Sequence, residues 1–219
     1  MMTGGHRDPS EKRPMMKRAL TGLLVILLFF GGSILTAVKA DPESEISDAL
    51  DRFAELYEQG RYDDALSVAE NALKLSEREL GTDHLTTATA LNELAVVYVA
   101  LGRYDEAEPV YKRSLAIREE SLGPDDPDVA LSLNNLAQLY RAQRRYTEAE
   151  PLYKRALEIE EKALSPEDPD VATTLDTLAG LYHLQGRFAE AEPLYQRALA
   201  IRTSSGSPFS LTINLSSIM

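Results

Sequence analysis

Apolar residues in the middle of this chain recur three or four residues apart, the spacing of an amphipathic α-helix. One run follows Pro127 and comprises Val129, Leu133, Leu136, Ala137 and Tyr140. A second run begins near Tyr146 and comprises Ala149, Leu152, Tyr153, Ala156, Leu157 and Ile159. Each run predicts a helix with one buried face, and Asp126 before Pro127 is a helix-start signal. The short turn between the runs predicts an antiparallel helical hairpin.

This hairpin returns along the chain with a period of 42 residues. A turn phrase related to Gly-Arg-Tyr-Asp-Glu-Ala recurs, and its aromatic residue marks the period: Tyr62, Tyr104, Tyr146 and Phe188. Such a period is typical of a solenoid, whose copies stack because a single copy cannot bury its own apolar face. We predict an all-α superhelix of about four hairpins within residues 41–202. The repeats are predicted near 46–79, 84–121, 127–163 and 169–202, with helices near 46–58, 62–79, 84–101, 104–121, 127–143, 146–163, 169–185 and 188–202.

Three segments of the third unit and its junction with the fourth resemble the tetratricopeptide repeats of kinesin light chain. They are Leu133–Tyr140 (LNNLAQLY), Tyr146–Ile159 (YTEAEPLYKRALEI) and Pro166–Ala172 (PEDPDVA). The resemblance runs in register from about residue 45 to 202, in the 42-residue form of the repeat. It implies an α-α superhelix in which the first helix of each hairpin, helix A, lines a concave groove that binds a peptide or a partner segment.

Nine polar residues of helix A point neither to the second helix of their hairpin, helix B, nor to the next repeat. They are Asn92, Glu93, Asn134, Asn135, Gln138, Arg141, Asp176, Thr177 and His183. Asparagine suits a groove because its amide offers both a donor and an acceptor to a peptide backbone. By resemblance, Asn134 and Asn135 are the positions that best match the groove residues of the family. The sequence therefore predicts a protein-interaction module. The alternative is that the asparagines have a structural role only and bond neighbouring loops.

Composition and motifs argue against several other functions. Residues after 40 carry 17 basic and 33 acidic side chains, and this charge repels a nucleic-acid backbone. The chain has no cysteine, and neither His84 nor His183 has a partner at metal-ligand spacing. A phosphate loop and a nucleophile elbow are also missing. The pair Glu160-Glu161 is interpreted as part of a solvated face. We predict no enzyme activity, no metal site and no cofactor.

The C-terminal end suggests a competing role in assembly. Residues 203–219 carry no charge and are rich in serine, which predicts an irregular tail in place of a polar capping helix. The last hairpin would then leave an apolar end exposed, formed by Leu194, Tyr195, Ala198, Leu199 and Ile201. Exposed contiguous apolar surface usually marks an interface. The alternative function is stacking on another copy or on a larger scaffold, possible for a truncated member of a longer array.

The N-terminal end predicts export. Lys17 and Arg18 precede an uncharged apolar run from Ala19 to Val38, and Val38-Lys39-Ala40 resembles a cleavage site. Residues 1–40 are therefore a cleaved signal peptide or an apolar anchor helix, because the run of 20 residues is long enough to cross a bilayer. Both interpretations place the repeats on the far side of a cytoplasmic membrane, in the periplasm or facing the exterior, since basic flanks stay inside.

Overall fold

A computed structural model describes residues 41–204, and these residues form eight α-helices arranged as four hairpins. The predicted order of helices is confirmed, and no strand occurs within the described range. The helices are α1 (Pro42–Glu58), α2 (Tyr62–Glu79), α3 (Leu85–Ala100), α4 (Tyr104–Leu122), α5 (Pro127–Ala142), α6 (Tyr146–Ala163), α7 (Pro169–Leu184) and α8 (Phe188–Ser204). Odd-numbered helices are the A helices of the hairpins, and even-numbered helices are the B helices.

Each helix packs against its neighbours in sequence, and the A helices α1, α3 and α5 also contact one another in turn. Close packing within the hairpins depends on small residues. Ala95, Ala137 and Ala179 in the A helices are fully buried, as are Ala107 and Ala149 in the B helices. Without side-chain bulk at these positions, paired helices approach closely enough to bury the aromatic and aliphatic residues around them. The core is therefore a continuous row of clusters along the hairpins.

Aspartate followed by proline starts three of the four A helices. The Asp126 carboxylate accepts a hydrogen bond from the Asp128 N–H at 2.9 Å, and Asp168 caps α7 in the same way. Asp41 and Pro42 repeat the device, with Asp41 accepting from the Glu43 N–H. The first helix consequently begins at Pro42, four residues before the predicted start at residue 46. The dipeptide signal that located α5 and α7 was present there too.

The turn between A and B helices needs a left-handed residue. Glycine provides it in three hairpins, with φ of +71° at Gly60, +73° at Gly102 and +74° at Gly186. In the third hairpin Arg144 takes this conformation with φ of +60°. A side chain at such a position crowds the following carbonyl, so Arg144 is a point of local backbone strain.

An arginine cluster links each of the last two turns to the hairpin before it. Arg145 stacks on the Tyr140 ring with its guanidinium 4.1 Å from the centroid, and it reaches Glu108 of α4 at 2.5 Å. The fourth hairpin repeats this cluster, and there Arg187 bonds Glu150 at 2.6 Å. The hydrogen bond from Arg145, with a second from Lys112, lowers the pKa of Glu108 to about 2. The arginine of the repeated turn phrase therefore has a structural role between repeats.

Two predicted regions lie outside the described residues. The N-terminal signal or anchor segment, residues 1–40, is one, and residues 205–219 of the C-terminal tail are the other. Thr203 and Ser204, which were assigned to the tail, instead form the last residues of α8. None of the helices between residues 41 and 204 is both long and apolar enough to cross a membrane.

Candidate peptide-binding surface

The predicted asparagines bond to one another between repeats. Asn135 of α5 donates from Nδ2 to Oδ1 of Asn92 in α3 at 2.8 Å, across 43 positions of sequence. Asn92 in turn donates weakly to Glu93 at 3.5 Å. Asn92 is buried, and burial raises the pKa of Glu93 because it disfavours the charged carboxylate. The two A helices are thus joined by a polar row on the face that the sequence assigned to the groove.

Asn134 forms a second polar link, which joins α5 to α6 and α7. Its Nδ2 donates to Thr174 Oγ1 at 2.7 Å and to Glu160 Oε1 at 3.0 Å. The Thr174 hydroxyl itself donates to the same Glu160 oxygen at 3.0 Å. The partners are thus helix residues of this hairpin and the next, and no loop takes part in these bonds. Sequence analysis missed both Thr174 and Glu160 as members of the site.

Part of this polar network lines a cleft of about 250 Å³ between α5 and α7, here called the α5–α7 cleft. Four of the nine predicted residues meet there: Asn134, Asn135, Gln138 and Thr177. The remaining lining residues are Pro127, Asp128, Leu131, Glu160, Leu164, Asp170, Thr173 and Thr174. Gln138 is exposed, whereas Thr177 is half-buried and donates to the Thr174 carbonyl at 2.9 Å.

The other predicted residues lie outside the cleft. Asp176 forms an ion pair with Arg202 of its own hairpin, so its carboxylate is engaged within the repeat. Arg141 is half-buried on α5. His183 is exposed near the end of α7, and its ring contacts Phe188 edge-on at 5.1 Å between centroids. None of these three residues lines the α5–α7 cleft.

Glu160 corrects one interpretation of the sequence. The pair Glu160-Glu161 was assigned to a solvated face, but the Glu160 side chain points inward and its residue is only 5 % exposed. Burial raises the pKa of Glu160 to about 7, and the nearby Asp170 and Asp168 charges add to the effect. The hydrophobic spacing of α6 could not reveal this, because the residue faces polar partners on two other helices.

Two acceptor atoms of this network have no hydrogen-bond partner within residues 41–204. They are Oδ1 of Asn134 and Oε2 of Glu160, and both are buried. Buried acceptors are nearly always satisfied in proteins, since an unmade bond costs about 1 to 3 kcal/mol. Both atoms belong to residues that line the α5–α7 cleft. The unused acceptors therefore belong to the lining residues of the cleft, although neither oxygen is itself exposed in it.

Comparison with known families agrees with the hairpin architecture. The tetratricopeptide repeat profile matches the chain in three overlapping segments, residues 45–120, 86–159 and 128–204. The chain belongs to the tetratricopeptide repeat family. This family assignment covers all eight helices and indicates no catalytic domain. No curated protein matches the sequence.

Solved structures with the same fold include proteins of the kinesin light chain type. BtubC (BKLC) from P. vanneervenii is 28 % identical, with a TM-score of 0.71 over 80 % of this chain and 69 % of that one. A Podosopora anserina kinesin light chain protein of nearly identical TPR-like repeats is 24 % identical, with a TM-score of 0.67 over 78 % and 80 % of the two chains. Aspartyl phosphate phosphatase F from Bacillus subtilis shares only the fold, at 15 % identity and a TM-score of 0.68 over 77 % and 43 %.

Proposed function

We propose that the chain is a non-enzymatic interaction module that binds a peptide or a partner's segment along its A helices. The observation that carries this proposal is the row of amide and hydroxyl side chains from Asn92 through Asn135 to Thr177, next to an open cleft. An extended peptide presents alternating N–H and C=O groups, and side chains of this kind can bond both. The family's fold is one used for protein–protein interaction, which supports the same function.

Within that row, we assign direct peptide contact to Asn135, Gln138 and Thr177. Gln138 is exposed in the cleft and has no bond among the described residues, so both ends of its amide are available. Asn135 uses one N–H on Asn92 and keeps its carbonyl oxygen for a ligand. Asn134 contributes differently, because both of its N–H groups are already used within the protein.

A capture experiment tests this function. The full chain, immobilised in mild detergent, is incubated with a native cell-envelope extract, and the variants Asn135→Ala and Gln138→Ala are compared with Gln196→Ala. Gln196 is an exposed glutamine on the B helix α8, which provides a control with the same chemical change. We expect the two A-helix variants to lose at least tenfold of the captured partner while the control keeps it. Equal capture by all three variants would contradict a groove on the A helices.

The last hairpin supports a second candidate function, assembly through its outer face. Tyr153 in α6 is fully buried by the hairpin that follows it, whereas Tyr195, 42 positions later in α8, is 39 % exposed. Leu199, Phe188 and Leu184 are exposed at the same end. Of the apolar residues predicted there, Ala198 and Ile201 are instead buried against α7, and Leu194 is half-buried.

We infer that this face stacks on another copy or on a larger scaffold. Light scattering of the full chain in detergent at micromolar concentration measures its mass, and Leu199→Glu places a charge on the face. A dimer that Leu199→Glu converts to a monomer would support assembly. A strict monomer in both proteins would contradict self-association.

Export stays a proposal that rests on residues 1–40 alone. The basic flank at Lys17 and Arg18, followed by an uncharged run, orients the chain with its repeats across the membrane. A reporter that functions only after export is fused behind residue 60 in the native host. An active reporter is expected, and an inactive reporter in a stably expressed fusion would refute export.

A further inference from the structure

One position of helix B differs between repeats in the sign of its charge. Arg118, Glu160 and Arg202 occupy the same place in α4, α6 and α8, at intervals of 42 residues. Each side chain bonds a polar group of an A helix: Arg118 bonds α5, Glu160 bonds α5 and α7, and Arg202 bonds α7. The repeats therefore allow one position to be compared when it carries a cation, as in α4 and α8, and when it carries a carboxylate, as in α6.

In the second hairpin the cation is part of the protein. Arg118 is 5 % exposed, and its Nη1 donates to Ser132 Oγ at 2.7 Å and to the Asp128 carbonyl at 3.4 Å. In the fourth hairpin Arg202 is paired with Asp176. Both of these buried or half-buried positions combine a guanidinium with acceptor groups, as burial of charge requires.

In the third hairpin the donor is missing. Thr174 stands where the preceding unit has Ser132, and Glu160 stands where it has Arg118. Two of the three donors in this network bond Glu160 Oε1 and the third bonds Thr174 Oγ1. One oxygen of Glu160 and one of Asn134 therefore have no partner within the described residues. The site contains acceptors for a donor that this repeat does not provide.

The charge of the cleft points to a cation as that donor. Its lining includes three carboxylates, from Asp128, Glu160 and Asp170, and contains no lysine or arginine. A volume of about 250 Å³ is roughly eight times the ~30 Å³ that one water molecule occupies, so a long side chain fits. Low dielectric at the base strengthens attraction between a bound cation and the Glu160 carboxylate.

We infer that the α5–α7 cleft binds the lysine or arginine side chain of a partner peptide, and that the Glu160 and Asn134 side chains shift on binding so that Oε2 and Oδ1 accept from it. This inference rests on the proposed peptide-binding function and adds the chemistry of the ligand. The peptide's cation takes the role that Arg118 has in the preceding unit. Asn135 and Gln138, on the same lining, then bond the peptide backbone on either side of the anchored residue.

A different arrangement would need no ligand. If a proton resides permanently on Glu160 Oε2, the carboxyl group can donate to Asn134 Oδ1 and satisfy both oxygens. The two arrangements differ in their response to pH. A bound cation favours the ionised carboxylate, so cation binding releases a proton from Glu160 and tightens between pH 6 and pH 8. The carboxylates that face Glu160 are Asp168 and Asp170 at the start of α7 and Asp128 at the start of α5.

Four nonapeptide libraries test the inference. Their central residue is fixed as arginine, lysine, citrulline or glutamate, and the flanking positions are randomised over uncharged residues. Citrulline is the matched control because it has the shape of arginine without the charge. Binding to the full chain in mild detergent is measured by fluorescence polarisation at pH 6 and pH 8. We expect the arginine and lysine libraries to bind at least tenfold more tightly than the citrulline and glutamate libraries at pH 8.

Three variants separate the cleft from the general acidity of the protein. Glu160→Gln should remove the preference for a cation and its dependence on pH. Glu160→Arg should remove it as well, because the new guanidinium replaces the carboxylate by a positive charge at the same place. Glu158→Gln makes the same change in charge at an exposed position of α6, and it should keep both effects.

Each outcome decides a different claim. Equal binding of arginine and citrulline libraries, or equal loss in Glu158→Gln and Glu160→Gln, would overturn the cation site while leaving peptide binding intact. Failure of all four libraries to bind would contradict the peptide-binding function itself. Retained cation preference in Glu160→Arg would place the bound charge elsewhere and overturn the inference.

Discussion

Replacing Glu160 by glutamine should stabilise the protein at alkaline pH and leave it nearly unchanged at acidic pH. In the folded chain burial raises the pKa of this carboxyl to about 7, above its ordinary value of 4.5. Because its pKa is higher in the folded state, the protonated Glu160 carboxyl contributes to the free energy of unfolding. The contribution is complete below the unfolded-state pKa and is lost as the pH rises through the folded-state pKa. Glutamine cannot ionise, so the variant does not lose it.

The magnitude follows from the two pKa values. A separation of about 2.5 units corresponds to about 3 kcal/mol between the fully protonated and fully ionised limits. Most of this change falls between pH 5 and pH 8. Across that window, the free energy of unfolding of the wild-type chain should fall by roughly 2 to 3 kcal/mol relative to Glu160→Gln. The glutamine Nε2 also offers a donor to Asn134 Oδ1, so the acid-pH stabilities should agree within about 1 kcal/mol.

Urea unfolding of the full chain in mild detergent, followed by circular dichroism at 222 nm, measures this difference at pH 5, 6, 7 and 8. Other titrating groups cancel because they are common to both proteins. Glu158→Gln is the control, and its difference from wild type should stay constant over the same range because Glu158 is exposed. A constant difference for Glu160→Gln as well would refute the conclusion that Glu160 is a desolvated carboxyl.

Three further changes test other parts of the fold. Arg144→Gly should raise the free energy of unfolding by about 1 kcal/mol, since glycine adopts the left-handed turn without strain; unchanged thermal melting would contradict this. Glu150→Gln should lower it by about 1 to 2 kcal/mol in urea titrations at pH 7, because the carboxylate bonds Arg187, Lys154 and Tyr182. Pairing lowers the pKa of Glu150 to about 2, so its contribution is present above about pH 4.5 and lost as the pH falls through 2, and the variant should show less acid destabilisation than wild type. Gly180→Ala should raise the melting temperature by about 2 to 4 °C, because alanine favours the helix and its Cβ meets its nearest neighbour at an ordinary 3.6 Å; a lower melting temperature would indicate crowding.

The hairpin fold was predictable from the sequence because several local signals agree. The 42-residue period, the apolar spacing and the Asp-Pro starts each indicate the same elements, and the boundaries of α2, α5 and α6 match the prediction to within one or two residues. The early start of α1 was missed because that unit lacks the full repeat phrase, although Asp41-Pro42 was visible. The sequence also shows Arg144 in place of the turn glycine of the other hairpins. Its left-handed backbone could have been predicted from that replacement.

The polar site was predictable only in part. The A-helix pattern placed Asn134 and Asn135 on one predicted face, because helical spacing determines which residues share a face, and both line the α5–α7 cleft. It could not show that both N–H groups of Asn134 are used, since the acceptors lie on α6 and α7, at separations of 26 and 40 residues. Glu160 was misread for the same reason. A glutamate late in a B helix is usually solvated, and only the packing of three helices reveals its burial.

A repeat protein offers an internal standard that other folds lack. Wherever the same position carries the same type of residue in successive units, a structural role is enough to explain it, as with the arginine of the turn phrase that stacks on tyrosine in three hairpins. A position that reverses its charge cannot be explained by the requirements of stacking alone. Arg118 shows that this place in helix B accepts a buried guanidinium that bonds Ser132 and the Asp128 carbonyl, so the fold did not require a carboxylate at Glu160. Two buried oxygens, one of this carboxylate and one of Asn134, lack partners, whereas no buried nitrogen of Arg118 lacks one among the described residues. The reversed charge, the two unpaired buried oxygens and the adjoining cleft together make the third hairpin the place to test for specificity.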